Sequence, residues 1–155
     1  MRKFSILFLL TVVVSCESNG QESIPSGTFE RTFSNGELSG QLLAYPETDS
    51  TALIYIYVTR GAPSYNSGSL YARMITNSSG TYLNIVNDDL NCQLELKIQA
   101  NYITITTEKQ ECGFGYGVVA DGTFKLKNSE TPEFFETMEG TKVYFSKIAP
   151  EEYNN

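Results

Sequence analysis

Residues 92–98 read CQLELKI, and the alternation is strict. Cys92, Leu94, Leu96 and Ile98 take one side, and Gln93, Glu95 and Lys97 the other. Successive side chains of a strand point to opposite faces, so the segment reads as a strand with one dry and one wet face. Ala100-Asn101 then offers a tight turn and 102–107, YITITT, a second strand, which together predict a hairpin. The same texture fills most of the chain. Segment 52–59, ALIYIYVT, is β-branched and aromatic, and further strands are expected at 27–33, 37–44, 69–76, 80–86, 122–127 and 141–147. Turn residues separate them at Ser34-Asn35-Gly36, at 46–50, 77–80 and 87–91, and at Asp121-Gly122. One stretch departs from this texture. In 131–138, TPEFFETM, Thr131 suits a cap, Pro132 a first helical position, and Glu133 and Glu136 an N-terminal turn, so a short helical turn is expected there.

About nine short strands joined as hairpins, without alternation of strands and helices, predict an all-β domain. The expected architecture is a single antiparallel up-and-down β-barrel, calycin-like or lipocalin-like, in which closure removes exposed sheet edges. The tripeptide GTF opens two of the expected strands, at 27–29 and 122–124, but so short a match does not make an internal repeat.

The N-terminus carries a different pattern. Arg2 and Lys3 precede an apolar run, Phe4 to Val14, that is too short to span a bilayer as a helix. It ends in Val13-Val14-Ser15-Cys16, which resembles the lipobox of bacterial lipoproteins. The resemblance implies that 1–15 is a signal peptide and that Cys16 is lipidated, so that the membrane is a partner. Cleavage by ordinary signal peptidase, leaving Cys16 free, is the alternative. Acyl chains contribute about 0.8 kcal/mol per buried methylene, so several on one cysteine hold a protein firmly at a membrane. Residues 16–26 are polar and contain glycine and proline, the composition of a flexible tether. Residues 27–148 would then form the barrel domain and 149–155 a C-terminal tail. Glu17 follows Cys16 where the enteric inner-membrane retention pattern has aspartate. The expected location is therefore the bacterial cell envelope, at the outer membrane.

Charge narrows the partners. Removing Arg2 and Lys3 from 11 basic residues leaves 9 against 18 acidic ones, a net of −9. Such a surface excludes nucleic acid and suits a basic protein or a cation. Beyond Cys16 the cysteines are Cys92 and Cys112. In an exported chain a disulfide between them is expected. Two buried free thiols are the alternative, and a two-cysteine metal site lacks histidine to complete it.

Residues 111–118 read ECGFGYGV. A dinucleotide loop needs its glycines between a strand and a helix. Here VVADGTFKLK follows, a turn and a strand, and no Gly-Lys-Ser/Thr is present. The segment reads instead as a structural corner, in which Gly113, Gly115 and Gly117 let the backbone bend and Cys112 staples it to Cys92. Phe114, Tyr116 and Val118 share one side of an extended segment and are expected to plug the barrel end. The constellation Cys92-x-Leu94, a second hairpin strand, Cys112-Gly-Phe-Gly-x-Gly-Val118 and Ala120-Asp121-Gly122-Thr-Phe124 resembles a pattern in small exported bacterial lipoproteins of largely unassigned function. The resemblance implies a small disulfide-pinned β-barrel and brings no catalytic residues.

The chain has no histidine, which removes Ser-His-Asp and Cys-His catalysis and most zinc sites. Paired-carboxylate glycosidase chemistry could draw on Asp88, Asp89, Glu95 and Glu108, but their spacing singles out no pair. The run Asn87-Asp88-Asp89-Leu90-Asn91 offers oxygen ligands to calcium, lacks the EF-hand pattern and reads more simply as a polar turn. No enzyme, cofactor or metal is expected. The tyrosines are more suggestive. Tyr55 and Tyr57 share the face of their strand opposite Ile54, Ile56 and Val58, and Tyr65 and Tyr71 flank the next turn. They form a candidate binding surface for a sugar or peptide, or else ordinary cross-strand packing. Ser67-Gly68-Ser69-Leu70-Tyr71 resembles the serine-glycine loop of membrane-bound lysozyme inhibitors, although their surrounding aromatic-glycine pattern is missing. The expected function is a non-enzymatic binding role in a membrane-anchored envelope lipoprotein. A lysozyme-inhibitor-like protein that binds a basic hydrolase, and a glycan-processing enzyme, are the alternatives.

Overall fold

Each strand turns back on the one before it. They are β1 (Gly27–Thr32), β2 (Leu38–Pro46), β3 (Thr51–Thr59), β4 (Ser67–Thr76), β5 (Tyr82–Asn87), β6 (Cys92–Gln99), β7 (Tyr102–Gln110) and β8 (Gly122–Asn128). All neighbours pair antiparallel, and β8 returns to β1 with Phe29 opposite Leu126, closing the barrel. This computed structural model describes residues 24–76, 82–87, 92–110 and 112–153. The expected signal segment, Cys16, most of the expected tether, the turn expected at 77–80, Asp88 and Asp89 lie outside the described residues.

The eight expected barrel strands are all present, with boundaries shifted by a few residues. The ninth expected strand, at 141–147, shortens to β10 (Lys142–Tyr144), which pairs with β9 (Phe134–Glu136) in a separate two-stranded sheet. The helical turn expected at 131–138 is therefore corrected to a strand. The Thr137 amide donates to the Thr141 carbonyl at 2.9 Å and the Gly140 amide to the Thr137 carbonyl at 2.9 Å, which closes a hairpin. The one helical turn among the described residues is α1 (Pro150–Tyr153), in the segment expected as a tail.

Burial explains why β9 is extended. On β3, Ala52, Ile54, Ile56 and Val58 point into the barrel and join Leu42, Met74, Leu94, Leu96, Ile103 and Phe124 in its core. The opposite face of the same strands is also apolar. Leu43, Leu53, Tyr55 and Tyr71 form a second core with Phe135, Val143 and Phe145. A strand that alternates aliphatic and aromatic residues can be dry on both faces only if something covers the outside. The β9–β10 hairpin is that cover. An extended Phe-Phe segment sends Phe135 inward onto the tyrosines while Phe134 stays half-buried on the outer side.

Candidate functional site

The expected corner exists, and its parts behave differently. Cys92 and Cys112 are joined in a disulfide across 20 residues. Gly113, Gly115 and Gly117 all adopt positive φ, at 74°, 89° and 71°. Left-handed residues break the two-residue pleat, so the shared side expected for Phe114, Tyr116 and Val118 does not hold. Phe114 and Val118 enter the barrel core with Ala120, while Tyr116 is 87% exposed. The plug is thus Phe114 and Val118 without Tyr116. Its backbone lies directly on β4, where a Cβ at Gly68 would sit 2.3 Å from the Phe114 carbonyl oxygen.

Arg31 and Asp121 fasten the far side of the corner, a role that sequence reasoning missed. Arg31 Nε donates to Ser39 Oγ at 3.1 Å, and Nη2 donates to the Ser39 carbonyl at 3.1 Å and the Val119 carbonyl at 3.3 Å. Nη1 donates to the carbonyls of Val119 and Asp121. Asp121 turns its carboxylate the other way and accepts from the Thr107 amide at 2.9 Å and the Thr107 hydroxyl at 2.8 Å. Burial lowers the Arg31 pKa, and the nearby charge of Asp121 opposes that shift.

The four tyrosines expected as a binding surface are divided. Tyr55 and Tyr71 are buried, at 4% and 1% exposure, beneath Phe135. Desolvation raises both of their pKa values. The Tyr71 hydroxyl donates to the Ile148 carbonyl at 2.8 Å and that of Tyr55 to the Glu136 carbonyl at 3.4 Å. Tyr65 stands apart on the β3–β4 connection, 70% exposed. For Tyr71 and most of Tyr55 the surface is corrected to cross-strand packing, because a cover from residues 134–148 lies over them.

What remains open is a groove of about 330 Å³ between the barrel wall and the β9–β10 hairpin, lined by Gln41, Tyr55, Tyr57, Glu136, Thr137 and Met138. Gln41 pairs directly opposite Tyr57 across β2 and β3, which places its amide beside the ring. Met138 is 66% exposed at the hairpin turn, within 3.9 Å of the Ser67 hydroxyl. The β2–β3 register would have found Gln41, but no local signal marks Glu136, Thr137 or Met138.

Ser67–Tyr71, the stretch similar to an inhibitor loop, forms the first half of β4 and is paired with β3 throughout. Glu95 is half-buried on the outer face of β6, and Glu108 is exposed on β7. Among the described residues no group of three His, Cys, Asp or Glu side chains could hold a metal ion. No helix of the described residues is long and apolar enough to cross a membrane. Comparison with family models, curated proteins and solved structures finds no match for the chain.

Proposed function

We propose that the protein is a lipid-anchored lipoprotein of the bacterial cell envelope that binds a neutral saccharide in the Tyr57 groove without catalysing a reaction. The groove carries the reading. It sets the Tyr57 ring and the Met138 thioether beside the Gln41 amide, with Glu136 and Thr137 on the hairpin side, around one space of about 330 Å³. A sugar packs its C–H face on a ring and bonds its hydroxyls to amide, hydroxyl and backbone groups. Among the described residues no basic side chain lines the groove, so an anionic sugar would find no counter-charge there. The lipobox-like run ending in Cys16 supports the anchor, and a chain without histidine supports a role other than catalysis.

Two experiments test it. Cys16→Ser should move the protein from the membrane fraction to the soluble fraction and abolish sensitivity to globomycin; unchanged fractionation removes the anchor. Calorimetric titration of the detergent-solubilised protein with oligomers of N-acetylglucosamine and of glucose should give saturable heat that Tyr57→Ala abolishes. Absence of saturation across both series, or heat unaffected by Tyr57→Ala, removes the saccharide reading.

A further inference from the structure

Antiparallel order places the β1–β2, β3–β4 and β7–β8 connections at one end of the barrel, opposite the end where the chain enters β1. At that far end lies a second cleft, of about 320 Å³, which the groove reading does not use. Two arginines line it, Arg31 and Arg60, together with Ser39, Thr59, Gly117 and Asp121.

The two guanidinium groups are held in opposite ways. Every N–H direction of Arg31 is taken, and every acceptor is a neutral carbonyl or hydroxyl. Among the described residues no carboxylate pairs with it, because that of Asp121 is engaged by Thr107. Its charge is therefore fixed in place by dipoles, and the Asp121 carboxylate, held by Thr107, offsets it only through space.

Arg60, at the start of the β3–β4 connection, is exposed and lies across the corner backbone. A Cβ at Gly117 would sit 2.7 Å from Arg60 Nη1, so the absence of a side chain there lets the guanidinium settle onto the loop. Among the described residues Arg60 has neither a side-chain hydrogen bond nor an ion pair. Two like charges thus face one concavity in a chain of net charge −7, with one set of N–H donors unspent. Like charges sharing a concavity repel unless an anion joins them.

We propose that this cleft binds an oxyanion group, a phosphate or a carboxylate, with the Arg60 fork as donor and Arg31 as a fixed source of positive potential. A planar guanidinium matches such oxygens two at a time, and a concave wall concentrates the field. The ligand class differs from the neutral sugar of the side groove, and the two sites fail independently.

The test is an amide chemical-shift titration of the detergent-solubilised, isotope-labelled protein with two probes, inorganic phosphate and glucuronate, at constant ionic strength set by sodium chloride. Saturable shifts are expected at the amides of Thr32, Gly117, Val119 and Asp121. Saturation with phosphate assigns the site to a free anion. Saturation with glucuronate alone assigns it to an acidic sugar. Arg60→Gln should weaken binding about tenfold or more, Arg60→Lys less, and Tyr57→Ala should leave it unchanged. Arg60 is exposed and, among the described residues, makes no side-chain hydrogen bond or ion pair, so the folded spectrum should survive its replacement. Shifts that do not saturate with either probe, or that persist unchanged in Arg60→Gln, overturn the proposal.

Discussion

The rings of Tyr55 and Phe135 stack with centroids 4.0 Å apart and planes 9° from parallel, although 80 residues of chain separate them. Tyr71 meets the same phenylalanine at 4.9 Å and 58°, and Tyr153 of α1 meets it edge-on at 5.6 Å. Phe135 is thus the centre of the outer core, and its neighbours come from β3, β4 and the C-terminal turn. Phe135→Ala is expected to cost about 3–5 kcal/mol, the range for truncating a buried phenylalanine. Phe135→Leu should cost clearly less. Urea unfolding monitored by circular dichroism measures both. Equal stability of Phe135→Ala and the parent would mean that the hairpin does not cover the barrel wall.

Gly68 is constrained from another direction. A Cβ there would lie 2.3 Å from the carbonyl oxygen and 2.4 Å from the Cα of Phe114, and both are backbone atoms that no rotamer change can move. Gly68→Ala must therefore lift the corner off β4 and withdraw Phe114 from the core. A loss of about 1–3 kcal/mol is expected, as for other overpacked positions. Gly36 supplies the comparison, since a Cβ there meets nothing within 4 Å although its φ is +87°. Gly36→Ala should show backbone strain alone, roughly 1–2 kcal/mol, with no change in the chemical shifts of Phe114.

The barrel strands were legible because their alternation is local. Leu94, Leu96 and Ile98 against Gln93, Glu95 and Lys97 fix which face of β6 is dry without reference to any other segment. The outer core was illegible for the opposite reason. In β3 both faces are apolar, so the pattern of Tyr55 and Tyr57 does not say whether their side meets water or a cover. The cover itself carried helix-start residues at 131–136, and tertiary pairing with β10 overrode that local preference. Tyr116 was misplaced because alternation was extended through three left-handed glycines. Arg31 gave no signal, because three of its five hydrogen bonds go to carbonyls of a loop 88 and 90 residues away and the other two to Ser39 on the next strand. The groove inherits these gaps, since half of its lining comes from the hairpin.

The disulfide ties the first residue of β6 to the first described residue of the corner. Closing a loop of 20 residues restricts the unfolded chain, for about 3 kcal/mol in the chain-entropy model. The double change Cys92→Ala with Cys112→Ala should lower the unfolding free energy by roughly that amount, and reduction of the parent should do the same. Because Phe114 lies two residues beyond Cys112, hydrogen exchange should accelerate first in 112–120 once the bond is gone. Exchange that rises evenly over the barrel would contradict a corner held locally by the staple.

Tyr71 is expected to contribute to the loss of stability at alkaline pH. Burial raises its pKa, chiefly by desolvation, and the charge of Glu47 adds to the shift. An unfolded tyrosine titrates near pH ~10. Between that pH and the higher folded value the unfolded chain binds fewer protons than the folded one, so stability falls as pH rises. The contribution is complete below about pH 10 and is lost as the pH climbs through the folded pKa. Tyr55, whose pKa burial also raises, acts in the same direction. Tyr71→Phe is expected to lower stability at neutral pH, because the 2.8 Å bond to the Ile148 carbonyl disappears. It should also flatten the decline above about pH 10, because one late-titrating group is gone. Unfolding free energies measured from pH 7 upward, alongside absorbance titration of tyrosinate, check both. A decline equally steep in Tyr71→Phe would place the alkaline sensitivity elsewhere.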